Sequence, residues 1–144
     1  MRNGANGFTL IEILIAMTVF AIGFIAVAIM QTVATGGNAN AISISDATNL
    51  ASQAVEELMA IDKAQLDTLD QNGDGAGGLA NMAPPTEALL PGEADGQVVV
   101  DSYTLTWNVA VDYPVPNATT LRVLVTENFG LRGRTVDLES VKMM

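Results

Sequence analysis

The chain contains no cysteine and no histidine among its 144 residues. Without cysteine there can be no disulfide bond and no thiolate nucleophile. Without histidine the chain lacks the side chain whose ordinary pKa suits acid–base catalysis near neutral pH. These two absences exclude the enzyme mechanisms that depend on either residue.

Basic residues are also scarce, with six Lys and Arg against sixteen Asp and Glu, for a formal net charge of -10. The stretch from Asp46 to Asp112 contains twelve acidic residues and a single base, Lys63. A broad basic face for nucleic acid is therefore excluded, and we expect no nucleic-acid partner. The glycines at 73–78 lack the lysine that a phosphate-binding loop requires.

A serine–lysine pair is the remaining route to a nucleophile. It would need Lys63 or Lys142 to be buried beside a serine, and both lysines lie among acidic residues where we expect them to be exposed. We therefore predict that the chain is not an enzyme.

What the sequence does have is a long apolar run near its start. Phe8 to Met30 covers 23 residues, which as a helix would extend about 34 Å and cross a hydrocarbon core of about 30 Å. Its only charged residue is Glu12, and a deeply placed acid costs on the order of 2.5–3.5 kcal/mol in a membrane. Such a charge usually has a partner, and the best one here would be a new N-terminal amine.

A processing signal precedes this run, at the junction of Gly7 and Phe8. Secretory signals are cleaved after their apolar region, whereas cleavage after Gly7 would leave the apolar helix on the mature protein. The alternative is an uncleaved signal anchor, which would require neither Glu12 nor a Gly–Phe junction.

Residues 7–16, GFTLIEILIA, resemble the processing site of type IV prepilins and type II secretion pseudopilins. The resemblance implies that a prepilin peptidase cuts after Gly7 and that the new amine of Phe8 is methylated. It also implies that Glu12 pairs with the N-terminal amine of a neighbouring subunit. Burying either charge alone is unfavourable, so such a pair forms best between packed helices.

The same resemblance implies a place and a set of partners. We expect a single-pass protein of the bacterial inner membrane that later enters a cell-surface or periplasmic filament. The partners would be the lipid bilayer before assembly, prepilin peptidase, the inner-membrane assembly platform, and other major and minor pilin subunits.

The expected architecture is α+β, a pilin fold in which a long N-terminal helix packs on an antiparallel β-meander of three or four strands. Residues 1–7 would be the leader peptide, residues 8–35 the membrane-spanning and filament-core half of the helix, and residues 36–144 the globular domain. Gly36-Gly37 would mark a bend, because two glycines weaken a helix.

Beyond these glycines, the chain from Ala39 to Ile61 has no Pro or Gly, and small or apolar residues recur at helical spacing. The stripe expected to pack on the sheet consists of Ile44, Ala47, Ala51, Ala54 or Val55, and Leu58. The residues expected to face water or neighbours are Asp46, Gln53 and Glu57.

Apolar residues then alternate with a period of two, which indicates strands. The clearest runs are Tyr103–Val111, with polar residues such as Thr106 and Asn108 on its other face, and Leu121–Val125. Val98–Val100 would extend or precede the first strand, and residues 136–141 would form the last. We expect a turn at Pro114 and Pro116, and a break around residues 129–133.

Residues 70–81, DQNGDGAGGLAN, begin like the calcium loop of an EF-hand. Oxygen ligands at alternate positions can converge on a hard cation, and Gly75 permits the sharp turn between them. The alternative is a metal-free Gly/Asp turn, because Asn81 stands where a bidentate Glu is expected. The candidate Ca²⁺ ligands are Asp70, Asn72 and Asp74, the carbonyl of Ala76, and Asn81 or Asp67.

This loop and the Tyr103–Val109 strand are similar to minor pilins of the pilus modification protein V type. The first helix also lacks the Pro that many major pilins carry in their membrane half. We therefore predict a minor pilin that acts in assembly, in priming or at the tip of a type IV pilus. The alternatives are a calcium-dependent adhesive tip module and a type II secretion pseudopilin.

Overall fold

The computed structural model describes residues 8–80, 82–85, 90, 92–128 and 134–143. The chain divides into two compact units, residues 1–41 and 42–144. The helical elements are α1 (Leu10–Ala60), α2 (Lys63–Asp67) and a 3-10 helix (Gly75–Ala80). The strands are β1 (Gly96–Val100), β2 (Tyr103–Val111), β3 (Ala118–Glu127) and β4 (Thr135–Met143). The predicted α+β class is confirmed.

In the first unit, α1 presents its apolar side chains outward. Each large apolar side chain from Phe8 to Val33 is half or more exposed. The most apolar 18-residue window of α1 has a mean hydropathy of 2.8, so the helix is long and apolar enough to cross a membrane. The helix also continues through Gly36 and Gly37, so these glycines do not end it; the bend expected there stays a prediction.

In the second unit the four strands form an antiparallel meander in the order β1-β2-β3-β4. The alternation in Tyr103–Val111 correctly predicts β2, and Val98–Val100 belongs to a separate strand, β1. The chain turns between β2 and β3 at Pro114 and Pro116, as expected. The break predicted around residues 129–133 lies outside the described residues.

The core lies between one face of the sheet and the C-terminal part of α1. Val109 pairs with Leu121 across β2 and β3, and both are fully buried. From α1, Ala47 and Ala51 are buried against this core, and small side chains there let a helix approach a sheet closely. The prediction was wrong for Ile44, which is 49% exposed.

The opposite face of the sheet is also covered, which the alternating pattern did not predict. The polar residues Thr106, Asn108 and Thr120 are buried there. The 3-10 helix packs against β2, with Leu79 buried and Gly78 beside the Asn108 side chain. Residues after α2 therefore form a second layer over a face that would otherwise meet water.

Lys63 is buried, so the expectation that it is exposed was wrong. Its Nζ lies 2.5 Å from Asp67 Oδ2, and Asp67 Oδ1 accepts a hydrogen bond from Thr119 Oγ1 at 2.6 Å. Burial by itself would raise the pKa of Asp67, but these hydrogen bonds and the charge of Lys63 lower it. The cluster of Lys63, Asp67 and Thr119 ties α2 to β3.

Lys142 is half-buried and has a structural partner at the end of α1. Its Nζ donates to the carbonyl of Met59 at 2.8 Å and to the carbonyl of Ile61. The last carbonyls of a helix have no intrahelical donors, and a cation there is favourable. Lys142 of β4 therefore caps α1, which has no base of its own in its last turn.

Candidate functional site

The start of α1 holds two of the three residues predicted for processing and assembly. Gly7 lies outside the described residues. Phe8 is 81% exposed, and α1 begins at Leu10. Glu12 therefore occupies the first turn of the helix, close in sequence to the predicted cleavage point.

A local hydrogen-bond pattern orients Glu12 toward this end of the chain. The Thr9 carbonyl accepts hydrogen bonds from Glu12 N at 3.1 Å and from Ile13 N at 3.3 Å. In return, Thr9 N donates to Glu12 Oε2 at 3.4 Å. A Thr followed three residues later by a Glu that reaches back to its N–H forms one of the two hydrogen bonds of a capping box. The sequence contained this T-x-x-E signal, and the sequence interpretation overlooked it.

The electrostatics at the start of α1 allow the Glu12 carboxylate to interact with a cation in addition to its hydrogen bond with Thr9. An acid in the first turn interacts favourably with the partial positive charge of the helix N-terminus. Among the described residues, Glu12 accepts one side-chain hydrogen bond, from Thr9, which is long and exposed; an ionised carboxylate can accept several. Glu12 therefore keeps acceptor capacity for a cation brought to it.

A groove of about 420 Å³ runs along the same face of the helix. Phe8, Glu12, Ala16 and Phe20 follow one another at a spacing of four residues, so they share one side of α1. Ala16 is the small residue in this row and leaves room between larger neighbours. The part of the groove lining that the structure describes is thus apolar except for one carboxylate, Glu12. Its lining is completed by Ile13 and Met17.

The acidic loop, which the structure describes over residues 70–80, makes hydrogen bonds to its own backbone and to the segment that leads into β1. Asp70 Oδ1 accepts from Gly73 N at 2.9 Å, and Asn72 Oδ1 accepts from Asp74 N at 3.1 Å. Asp74 Oδ2 accepts from Gly92 N at 2.7 Å. Asn72 Nδ2 also donates to the carbonyl of Glu93 at 2.9 Å. The three predicted side-chain ligands are therefore gathered in one loop, and each already serves to shape it.

Asp95 joins this loop to β2, and the sequence interpretation did not single it out. The residue is 2% exposed. Its Oδ1 accepts from Gln71 N at 3.1 Å and its Oδ2 from Val109 N at 2.8 Å. Burial raises the pKa of Asp95 to about 6, the negative charge of Asp70 adds to this rise, and the N–H donors oppose it.

The pKa of Asp70 is also affected by burial and by a neighbouring acidic residue. Burial raises the pKa of Asp70, and the nearby charge of Asp74 contributes, although the N–H of Gly73 acts in the opposite direction. The charge of Asp70 is thus repelled by that of Asp74 and by that of Asp95. A cation placed among them would relieve this repulsion.

Two buried oxygens near this loop lack hydrogen-bond partners among the described residues, namely Asp74 Oδ1 and Asn108 Oδ1. A side chain at Gly78 would collide with both Asp74 and Asn108, so only glycine fits between them. Asn108 is fully buried and was read from the sequence only as part of a polar strand face. A buried carboxylate or amide oxygen without a protein donor is suited to accept a hydrogen bond from water or to coordinate a cation.

The rest of the predicted calcium shell is not assembled in the same way. Ala76 belongs to the 3-10 helix, and Asn81 lies outside the described residues. Asp67 pairs with Lys63 instead. Within the described ranges, no group of three or more acidic side chains is close enough to hold a metal ion by itself. The calcium site therefore stays a prediction.

Comparison with known proteins bears on the first of these sites. Residues 2–28 match the family model described as the prokaryotic N-terminal methylation motif. No curated protein and no solved structure matches the chain. The matched segment contains the Gly7–Phe8 junction, Glu12 and most of the apolar run. This type IV prepilin-like motif implies processing by a prepilin peptidase and assembly with other pilin subunits, and it supports a type IV pilin-like or pseudopilin subunit.

Proposed function

We propose that the chain is a minor subunit of a type IV pilus, which acts in assembly, in priming or at the tip. The observation that carries the proposal is the exposed apolar half of α1, residues 10–35, whose only charged side chain, Glu12, lies in the first turn. A helix of this kind suits two environments, the lipid bilayer before assembly and a bundle of like helices afterwards.

The mechanism rests on a charge that is tolerable in lipid and useful in the bundle. Near one end of the span, Glu12 lies close to the polar interface, where an acid is less unfavourable than at the bilayer centre. After cleavage the Phe8 amine of a neighbouring subunit meets Glu12. In a dry bundle the two opposite charges attract strongly, and an unpaired charge would be unfavourable. Pairing thus fixes the axial position of each added subunit.

The groove beside Glu12 supports this pairing. Its apolar lining and the small Ala16 leave space for a side chain of a neighbouring helix. A neighbour seated in this groove would remove water from around Glu12, which strengthens the attraction between the carboxylate and an amine.

A role outside the filament shaft is favoured by the sequence of α1. Its apolar half contains no proline. In the family that the chain resembles, many major pilins carry a proline in this half, and that proline breaks the helix in the filament. The acidic loop adds a surface feature that a purely packing subunit does not need. Both features favour the minor-subunit assignment.

Mass spectrometry of purified surface filaments tests the proposal. We expect chains that begin at Phe8, carry one methyl group on the amine and occur at a small fraction of the abundance of the main subunit. A chain that is the main component would contradict the minor role. A chain that is absent from surface filaments but required for protein secretion would instead indicate a pseudopilin.

A second candidate function, a calcium-dependent adhesive module at the tip, is favoured by the orphaned Asp74 Oδ1. This buried oxygen lies beside Asn108, whose Oδ1 also lacks a partner among the described residues. Carboxylate and amide oxygens are ligands that Ca²⁺ prefers. Together with the repulsion of Asp70 by Asp74 and by Asp95, they supply a reason for a cation to bind.

Calorimetric titration of the full chain in detergent micelles with Ca²⁺ checks this candidate. We expect saturable binding that Asp74→Asn weakens at least about tenfold, or about 1.4 kcal/mol. The exposed Asp46 provides a matched control, and Asp46→Asn should bind like wild type. No binding at millimolar Ca²⁺, or equal losses in both variants, would remove the calcium site.

A further inference from the structure

The two edges of the sheet differ in how they are protected. Among the residues that the structure describes, β1 and β4 each pair with one neighbouring strand. β4 carries Asp137, Glu139 and Lys142, and Asp137 pairs with Arg122 at 2.5 Å. Charged side chains on an edge strand discourage pairing with other chains.

β1 has no such protection. Its sequence is Gly-Gln-Val-Val-Val, without a charged residue or a proline. Val98, Val99 and Val100 are all exposed, on both faces of the strand. An uncharged apolar edge is open to pairing with another strand, and soluble proteins normally avoid one.

A groove of about 520 Å³ runs alongside this edge, between β1, β2 and the C-terminal part of α1. Val98 lies opposite Leu105 and Val100 opposite Tyr103, so both point to the face that α1 covers. A further strand paired with β1 would therefore direct every second side chain into this groove. Its main lining residues are Leu50, Leu58, Ile61, Val98, Val100 and Trp107.

The end of the groove near the C-terminus of β1 is acidic. A second depression of about 300 Å³ shares Leu50 and Val100 with the first groove and adds Asp46 and Asp101. Both carboxylates are exposed. The described lining of the two depressions contains no base. Glu57 of α1 also lines the first groove, eleven positions after Asp46 along the chain. A cationic side chain would therefore be attracted most strongly to the end with two carboxylates, Asp46 and Asp101.

We propose that β1 and the adjoining groove bind an extended segment of a partner protein, which adds to the sheet as a fifth strand. The segment carries aliphatic side chains at alternate positions and a Lys or Arg at the end that meets Asp46 and Asp101. A helix would satisfy its own backbone and leave the edge of β1 unpaired, whereas a strand pairs with it and fills the groove. An antiparallel segment would start with its basic residue at the acidic end.

The sole tryptophan of the chain, Trp107, lines the groove and reports on its occupancy. The test titrates the full chain in detergent micelles with the peptide acetyl-Lys-Thr-Val-Thr-Val-Thr-Val-Thr-amide and follows Trp107 fluorescence. We expect a saturable change in emission. A peptide with Glu in place of Lys should bind at least tenfold more weakly.

Two backbone-methylated peptides distinguish strand addition from simple apolar binding. Each carries N-methyl groups on alternate amides, and the two differ in which alternate set is methylated. Only one set of amides faces β1 in an added strand. One methylated peptide should therefore lose binding and the other should keep it; equal binding of both would overturn the proposal.

Two protein variants locate the site. Val98→Lys places a charge in the groove and should weaken binding at least tenfold. Val141→Lys provides the matched control, because Val141 of β4 is 43% exposed and Val98 is 44% exposed. Asp101→Asn should weaken the lysine peptide and leave the glutamate peptide unaffected or stronger; its positive φ of 51° is one that asparagine also adopts.

Three further results would overturn the proposal. They are the absence of any fluorescence change at millimolar peptide, equal effects of Val98→Lys and Val141→Lys, and self-association of the chain that Val98→Lys abolishes. The last result, seen by analytical ultracentrifugation without peptide, would show that a second copy occupies the edge. None of these measurements requires a filament, so their outcome is independent of the proposed pilus role.

Discussion

Replacing Glu12 with glutamine is expected to leave cleavage after Gly7 intact and to lower incorporation into filaments at least about tenfold, or about 1.4 kcal/mol. Glutamine is chosen because it can still fill the capping position of a T-x-x-[EQ] box, so the helix start keeps its hydrogen bond to Thr9. What the substitution removes is the negative charge. An amine buried without its carboxylate is unfavourable by several kcal/mol.

The measurement compares cleaved chain in the membrane with chain in sheared filaments, by quantitative mass spectrometry. Glu56→Gln is the matched control, because Glu56 is an exposed acid in the other half of α1, and it should be incorporated like wild type. Normal incorporation of the Glu12→Gln chain would disprove the charge-pairing mechanism. Loss of cleavage in that variant would show that Glu12 acts at the peptidase instead.

The stability of the second unit is expected to fall as the pH rises from about 4 to about 6. Burial raises the pKa of Asp95 from 3.8 to about 6, so the folded state binds a proton there more tightly than the unfolded state does. The free energy of unfolding is therefore larger when Asp95 is protonated and decreases until the pH passes its folded pKa. A rise of this size corresponds to about 3 kcal/mol. Asp70, whose pKa is also raised, contributes with the same sign.

Asp67 acts in the opposite sense, because its pKa is lowered. It stabilises the fold above the ordinary pKa of an aspartate, and this contribution is lost as the pH falls through its folded value. The contributions of Asp67 and Asp95 therefore place the maximum of stability near the ordinary pKa of an aspartate, at about pH 4. Urea denaturation of the full chain in micelles, followed by Trp107 fluorescence, measures this profile.

The matched variants for this profile are Asp95→Asn and Asp46→Asn. An amide does not titrate, so Asp95→Asn should remove most of the slope between about pH 4 and 6. Asp46 is exposed, and its replacement should leave the slope unchanged. A slope that survives in Asp95→Asn would show that another group, such as Asp70, dominates the pH dependence.

The features that the sequence predicted correctly are those with a local signal. The apolar run predicts the exposed helix, since its length and lack of charge suffice to define a span. Alternation in Tyr103–Val111 and Leu121–Val125 predicts β2 and β3, because side chains of a strand point to opposite faces in turn. The methylation motif is likewise contiguous, so residues 2–28 match it without reference to the rest of the fold.

The features that the sequence missed depend on distant parts of the chain. Asn108 reads as a polar residue on the wet face of β2, yet it is buried because the 3-10 helix packs over that face. Asp95 precedes Gly96 in an apparent turn, yet it is buried between Gln71 and Val109. Lys63 is a surface base by its sequence pattern, yet it is buried, where it forms an ion pair with Asp67 that Thr119 supports by a hydrogen bond to Asp67.

Local sequence alone specifies a membrane-competent helix with one acid in its first turn, a prepilin-like processing motif at the start of this helix, and strands after it. A junction, a charge and a periodicity are short-range properties, and they can be read from neighbouring residues. Three further properties depend on tertiary packing. The 3-10 helix of the acidic loop covers one face of the sheet, and Asp95 is buried beside it with a raised pKa. The third property is the open apolar groove beside β1. These properties arise from the packing of segments far apart in the chain, and local pattern does not encode which surfaces such packing covers.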